Sequence, residues 1–124
     1  MSYTMAWCQN GLETTFSGTV TDEEVNQVVA KFQGHERFDS LRYLIVNFLG
    51  VEEFNVCGET LEMAGATDTA ASLTNAKLKF CMVVNNPEIA RILSYYENII
   101  KASPWQFQFF EKLEDAKAWV GVSG

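Results

Sequence analysis

Long hydrophobic runs, basic clusters and glycine-rich loops are what this sequence lacks, and it has a single histidine. No apolar stretch approaches the roughly 20 residues that cross a bilayer. Met1 to Trp7 contains no basic segment leading into an apolar one, so neither membrane insertion nor a secretory leader is expected. Nine Lys and Arg stand against sixteen Asp and Glu, a formal net charge of −7. That balance disfavours a nucleic-acid partner, whose phosphates call for a basic face, and equally disfavours electrostatic docking on anionic lipid. Gly11, Gly18, Gly34 and Gly50 are isolated turn residues rather than a phosphate cradle. His35 is the single histidine, so a metal would depend on carboxylates. Glu52-Glu53 and Glu59/Glu62 match no ligand spacing, and neither a metal nor a cofactor is expected. Three cysteines, an odd number, fit no zinc or redox motif, which points to a reduced, cytoplasmic setting.

What the chain does have is apolar periodicity. Its 124 residues are 48% hydrophobic and 20% charged, enough for one domain, residues 1–124, with a real core. Tyr3 to Cys8 and Leu12 to Val20 read as strands joined by Gln9-Asn10-Gly11, whose Asn-Gly pair is a hairpin signal. Thr21-Asp-Glu-Glu24 is a capping box, and Val25, Val28, Val29 and Phe32 follow at helical spacing until Gly34. His35 to Leu41 reads as a polar, exposed loop. Tyr43 to Leu49 is apolar on both faces, as in a central parallel strand.

Gly50 to Cys57 reads as a connection. Gly58 to about Asn75 is helical and rich in small residues: Ala64, Gly65, Ala66, Ala70, Ala71 and Ser72. Such residues let helix backbones approach closely or, alternatively, line a ligand passage. Asp68, with Thr67 and Thr69, is expected on the outer, wet side of this helix. Lys79 to Val84 is a further strand. Asn86-Pro87 opens a helix whose stripe is Ile89, Ile92, Leu93, Tyr96 and Ile100. In Gln106 to Phe110 the aromatics alternate with Gln106 and Gln108, the pattern of an edge strand with one wet face. Glu111 to Val120 closes as a helix. Strands alternating with helices imply parallel pairing, so the fold class is α/β: a mixed, mostly parallel five-stranded sheet with about four helices, in the order β-β-α-β-α-β-α-β-α.

This order, with the closing Phe110-x-x-Leu113-Glu-Asp-Ala116-x-Ala-Trp119-Val120, resembles the SpoIIAA-like family of small bacterial domains, related in fold to STAS and more distantly to CRAL-TRIO lipid-transfer domains. In STAS anti-sigma-factor antagonists an Asp-Ser-Ser-Gly opens a helix after an Asp-Leu-Ser-Gly-Val-like strand end. Asn47-Phe-Leu-Gly50-Val51 is similar to that strand end, and the switch motif then falls on Asn55-Val56-Cys57-Gly58. Gly58 matches; Val56 stands where the phosphorylated serine would be and has no hydroxyl. The resemblance implies a non-enzymatic binding or regulatory module with a protein partner or a second copy as its mate, acting without the serine switch. The alternative it implies is a carrier of a small apolar or lipid-like ligand.

The candidate ligand or partner residues are therefore Asn55, Val56, Cys57, Gly58, Ala64 and Asp68. Cys57 precedes a helix, whose amino end favours thiolate, but no histidine or arginine is near it in sequence. Cys8 and Cys81, inside strands, read as core. No catalytic residue is assigned.

Overall fold

The computed structural model describes residues 2–122. Its elements are β1 (Tyr3–Trp7), β2 (Gly11–Thr21), α1 (Asp22–Gln33), a 3-10 turn at Phe38–Ser40, β3 (Tyr43–Asn55), α2 (Gly58–Ala71), β4 (Lys79–Val83), α3 (Pro87–Ile100), β5 (Gln106–Phe110) and α4 (Leu113–Val120). The sheet runs β1-β2-β3-β4-β5, in chain order. β1 and β2 are antiparallel; β2, β3, β4 and β5 are parallel. Each crossover steps to the next strand in one direction. Crossovers of one hand then place α1, α2 and α3 on the same face. α4 is no crossover, and it covers the other face over Tyr43, Ile45, Cys81 and Val83.

Local signals build these elements. Cys8 N–H donates to the Gly11 carbonyl across the first hairpin (2.8 Å). Thr21 and Glu24 form the capping box of α1, and the Asn86 side chain accepts from Glu88 and Ile89 at the start of α3. β3 differs from expectation. Gly50 to Asn55 is not a connection but the continuation of the strand, paired with Ser17 to Thr21 of β2 beyond the end of β4. The register slips on both sides of Gly18, whose φ of 66° suits a residue without a side chain.

The core fills the space between the sheet and α1, α2 and α3. Tyr43 to Phe48 is buried at every position, as a strand covered on both faces requires. Aromatic rings meet across the layer: Phe16 on Phe48 at 5.4 Å, Phe80 against Tyr96 at 5.4 Å and against Phe107 at 5.3 Å. The buried Asn75 ties the loops beneath. Its side-chain amide donates to the Phe38 and Leu41 carbonyls (2.8 and 2.9 Å), and its backbone carbonyl accepts from the Trp105 indole (2.6 Å). The segment 35–41, expected polar and exposed, buries Phe38 and Leu41 in this core.

Candidate functional site

The long β3 delivers the chain to the amino end of α2, and four of the six sequence-derived candidates gather there. The Asn55 amide donates to Glu53 Oε1 (2.9 Å) on the exposed strand end. Val56 is turned inward and buried. Cys57 is exposed and is the N-cap of α2, but its side chain caps no backbone amide. Its own N–H donates to Asp22 Oδ1 (2.9 Å), and its Sγ lies 3.4 Å from Thr60 Oγ1. The Cys57 amide, and after it the Thr60 hydroxyl, hold the Asp22 carboxyl below its ordinary value. A carboxylate from α1 thus sits at the end of α2 that most favours negative charge. Over Gly58 lies the Tyr95 ring, 3.3 Å from where a Cβ would stand.

Two large apolar side chains of α2 and α3 are left in solvent near this end. Tyr95 of α3 is 44% exposed, and Met63, a turn along α2 from Glu59, is 62% exposed. Glu59, Glu62 and Ala66 share the exposed stripe of α2 with Met63. Asp22 and Met63 escaped the sequence reading as site residues. Asp22 lies 35 positions from Cys57 and read only as a first-turn acid of α1. For Tyr95, as for Tyr96, an aromatic at helical spacing predicts core or the wall of an apolar pocket; the structure leaves Tyr95 44% exposed.

Ala64 and Asp68 belong elsewhere. Leu61, Ala64, Gly65 and Asp68 fall three, four and seven residues apart and form the buried stripe of α2. Asp68, expected to face water, is only 3% exposed. Helical phase carries it inward, where Tyr96 Oη donates to Oδ2 (2.7 Å) and Gln33 Nε2 to Oδ1 (2.5 Å). Thr67 and Thr69 are half-buried and return their hydroxyls to the Ala64 and Gly65 carbonyls. Burial pushes the Asp68 carboxyl up to about 6 against the opposing pull of its two donors, and the Tyr96 hydroxyl well above its usual value. Ala64 and Asp68 help line an internal cavity of about 50 Å³, walled largely by Phe16, Phe32, Val46 and Phe80. Small-molecule sites run to about 300–1,000 Å³. The cavity is a packing void on that scale.

The two groups most suited to covalent chemistry are apart. Cys57 meets Asp22 at the first residue of α1, whereas His35 follows the last turn of that 12-residue helix. The helix alone spans roughly 18 Å at 1.5 Å per residue. His35 is half-buried rather than free in a loop: its ring stacks on Trp7 at 3.7 Å and 18°, and its Nδ1 accepts from the Arg37 amide (3.0 Å). Cys8, expected in the core, is exposed, because β1 ends at Trp7 and the hairpin turns out at that residue. Cys81 is buried as expected, and desolvation raises its thiol to about 12. Among the described residues no helix is long and apolar enough to cross a membrane, and no three metal-ligating side chains converge.

No protein-family model and no curated protein sequence matches the chain. Solved structures do. The unphosphorylated form of the anti-sigma factor antagonist SpoIIAA aligns over 98% of this chain and 99% of its own, with a TM-score of 0.67 at 10% identity. This chain has the SpoIIAA-like fold. An anti-sigma factor antagonist from Mycobacterium paratuberculosis aligns with the SpoIIAA-like domain over 95% of this chain and 92% of its own (TM-score 0.52, 16% identity). An uncharacterized Shewanella loihica protein with a SpoIIAA-like fold covers 95% and 91% (TM-score 0.51, 15% identity). The expected α/β class, the strand and helix order and the mostly parallel sheet are those of the structure. β5 is parallel to β4, as the alternation of strand and helix requires.

Proposed function

We propose that this SpoIIAA-like domain is a non-enzymatic, cytoplasmic regulatory module that binds a protein partner through the start of α2 and the neighbouring face of α3. The observation that carries the reading is the exposure of two large apolar side chains on these neighbouring helices, Tyr95 lying over Gly58 on the α3 side of α2 and Met63 on the outer stripe of α2 with Glu59 and Glu62. Exposed apolar surface with a polar rim is the ordinary chemistry of a protein contact. Structural neighbours are anti-sigma factor antagonists, which supports a regulatory role of this kind. The separation of Cys57 from His35 supports a module that holds rather than transforms. Asn55, Cys57 and Gly58 lie on or at the margin of the proposed surface; Val56, Ala64 and Asp68 support it from beneath. With valine at position 56 and the Asp22 carboxylate beside the helix end, control by serine phosphate has no place at this position.

The test is site-specific photo-cross-linking in cells that express the chain naturally. A photoreactive residue at Met63 should give one discrete protein adduct, a control at Lys101 none, and Tyr95→Ala should abolish the Met63 adduct. Equal adducts from both positions, or none from Met63, would refute this surface.

A further inference from the structure

Asp68 ties three helices together at one buried carboxyl, with Gln33 of α1 donating to Oδ1 and Tyr96 of α3 to Oδ2. It lies between two spaces. On its inner side is the apolar cavity of about 50 Å³, whose wall Asp68 and Tyr96 share with Thr14 of β2. On its outer side is a surface hollow lined by Gln33, His35, Glu36, Asp39 and Thr67. Asp68 lines the cavity but not the hollow; Gln33 and Thr67, both half-buried, line the hollow but not the cavity. One amide closes the seam between them. Gln33 Nε2 donates to Thr67 Oγ1 (3.3 Å) and to Asp68 Oδ1 (2.5 Å). At this point a single layer of hydrogen-bonded side chains separates solvent from the cavity.

What this layer tolerates depends on the proton of Asp68. A carboxylate has room for about four donors, and this one has two. Among the described residues no cation pairs with it. Lys31 and Arg37, the cations nearest Gln33 in sequence, are engaged on Tyr3 Oη and the Cys8 carbonyl. The cavity wall is built from β2, β3, β4 and all three helices, and Tyr96 is its only other titratable group, its hydroxyl held neutral by burial. His35, Glu36 and Asp39 face the carboxyl only across Gln33 and Thr67, and two of these three are acids. The remaining source of donors is water in the hollow, and the cavity has room for about three molecules of it. Thr14 offers them a second polar contact. Its hydroxyl is fully buried and has no partner, an uncommon state in a folded protein.

We propose that the Gln33–Thr67 seam is a water gate, shut while Asp68 carries its proton and opened by its ionisation, which parts α2 from α1 and α3 and hydrates the cavity. The fold thereby makes the order of α2 depend on proton concentration. The sign follows from burial. The carboxyl sits at about 6 in the shut form and returns toward its ordinary 3.8 once water reaches it. The shut form therefore holds the proton more tightly. Its advantage is complete below about pH 4, drains away as pH rises through 6, and changes little beyond. A displacement of about two pH units makes opening roughly a hundredfold more frequent at pH 7 than at pH 4. The inference rests on the inner face of α2 and holds whether or not its outer face meets a partner.

Native-state hydrogen exchange read by NMR tests it, with rates corrected for the intrinsic pH dependence of exchange and followed from zero to subdenaturing urea. A 14-residue helix released from its neighbours is marginal in water, so the α2 amides exchange whenever the gate opens. Between pH 4 and pH 7 their protection from Leu61 to Ala71 should fall about a hundredfold, with a shallow urea dependence. The Gln33 side-chain amide, which bonds across the seam, should lose protection in step. The β4 amides, Lys79–Val83, should keep the steep urea dependence of global unfolding. In Asp68→Asn, protection of α2 should be the same at both pH values. Wild-type protection that ignores pH overturns the proposal. So do α2 amides that share the urea slope of β4, since α2 then opens only with the whole fold. A Gln33 amide equally exposed at both pH values places any opening elsewhere, and a pH dependence that survives Asp68→Asn assigns it to another group; either result also overturns the proposal.

Discussion

A lone carboxylate in an apolar core is costly, and Asp68 is held there by two neutral donors and no cation. Its ordinary value of 3.8 rises to about 6 in the fold, with desolvation the leading cause. The folded state therefore holds the proton more tightly than the unfolded chain does. The native protein is favoured below about pH 4, and that advantage drains away as pH rises through 6. A shift of this size corresponds to roughly 2–3 kcal/mol at about 1.4 kcal/mol per pH unit. Asp68→Asn keeps an acceptor for Tyr96, and the Gln33 amide need only flip to accept from the new NH₂. The variant should be more stable than wild type by about 1–2 kcal/mol at pH 7.5 and equal to it near pH 4. Urea unfolding at the two pH values measures this. Asp22 and Glu24, both lowered, work in the opposite sense in wild type and variant alike, so the difference isolates Asp68. A gain independent of pH would show that packing, not charge, governs the site. Thiol chemistry divides at the same scale. Cys8 and Cys57 should react with Ellman's reagent in the native protein, and Cys81 only after unfolding.

At the scale of the element, α2 is held by close approach rather than by large side chains. Its two glycines, Gly58 in the first position and Gly65 in the middle, face α3 in different ways. A Cβ at Gly65 would stand 3.0 Å from Ile99 Cβ and 3.2 Å from its Cγ2, with the Tyr96 carbonyl at 3.4 Å. Ile99 Cβ is anchored to its backbone and cannot turn aside, so the helices themselves must part. Gly to Ala gains about 1 kcal/mol in helix propensity, whereas overpacking costs about 1–3 kcal/mol. Overpacking wins, and Gly65→Ala should lower stability by about 1–2 kcal/mol. At Gly58 the three nearest atoms all belong to the exposed Tyr95 ring, which can rotate outward. Gly58→Ala should thus be neutral or slightly stabilising, by up to about 0.5 kcal/mol. Thermal denaturation of the pair tests the contrast. Two variants that fall together would mean that α2 and α3 adjust as easily at one end as at the other.

Taken as a whole molecule, the order of elements was legible because each has its own period and its own punctuation: Asn10-Gly11, the Thr21–Glu24 box, Asn86-Pro87. The length of β3 was not. Glu52-Glu53 reads as loop, and only the pairing of Gly50–Asn55 with β2, contacts some 30 residues apart, makes it strand. Asp68 was misread because small residues on all sides of α2 hide which face is apolar. The candidate surface was half visible: the Asn55–Gly58 segment came from its likeness to a motif, but Asp22 and Tyr95 reach it only through the fold. The same long β3 sets the pattern of local stability. Between Tyr43 and Asn47 it is paired on both sides and buried on both faces; beyond Gly50 it is paired on one side and largely exposed. Opening the second region breaks one ladder and exposes little apolar surface, whereas opening the first breaks two and uncovers the core. Amide exchange should therefore be slowest in Tyr43–Asn47 and Lys79–Val83, and faster by about a hundredfold or more in Gly50–Asn55 with its partners in β2, a difference of about 3 kcal/mol in opening free energy. Uniform protection along β3, read by exchange mass spectrometry, would instead mean that the extension opens only when the entire sheet does.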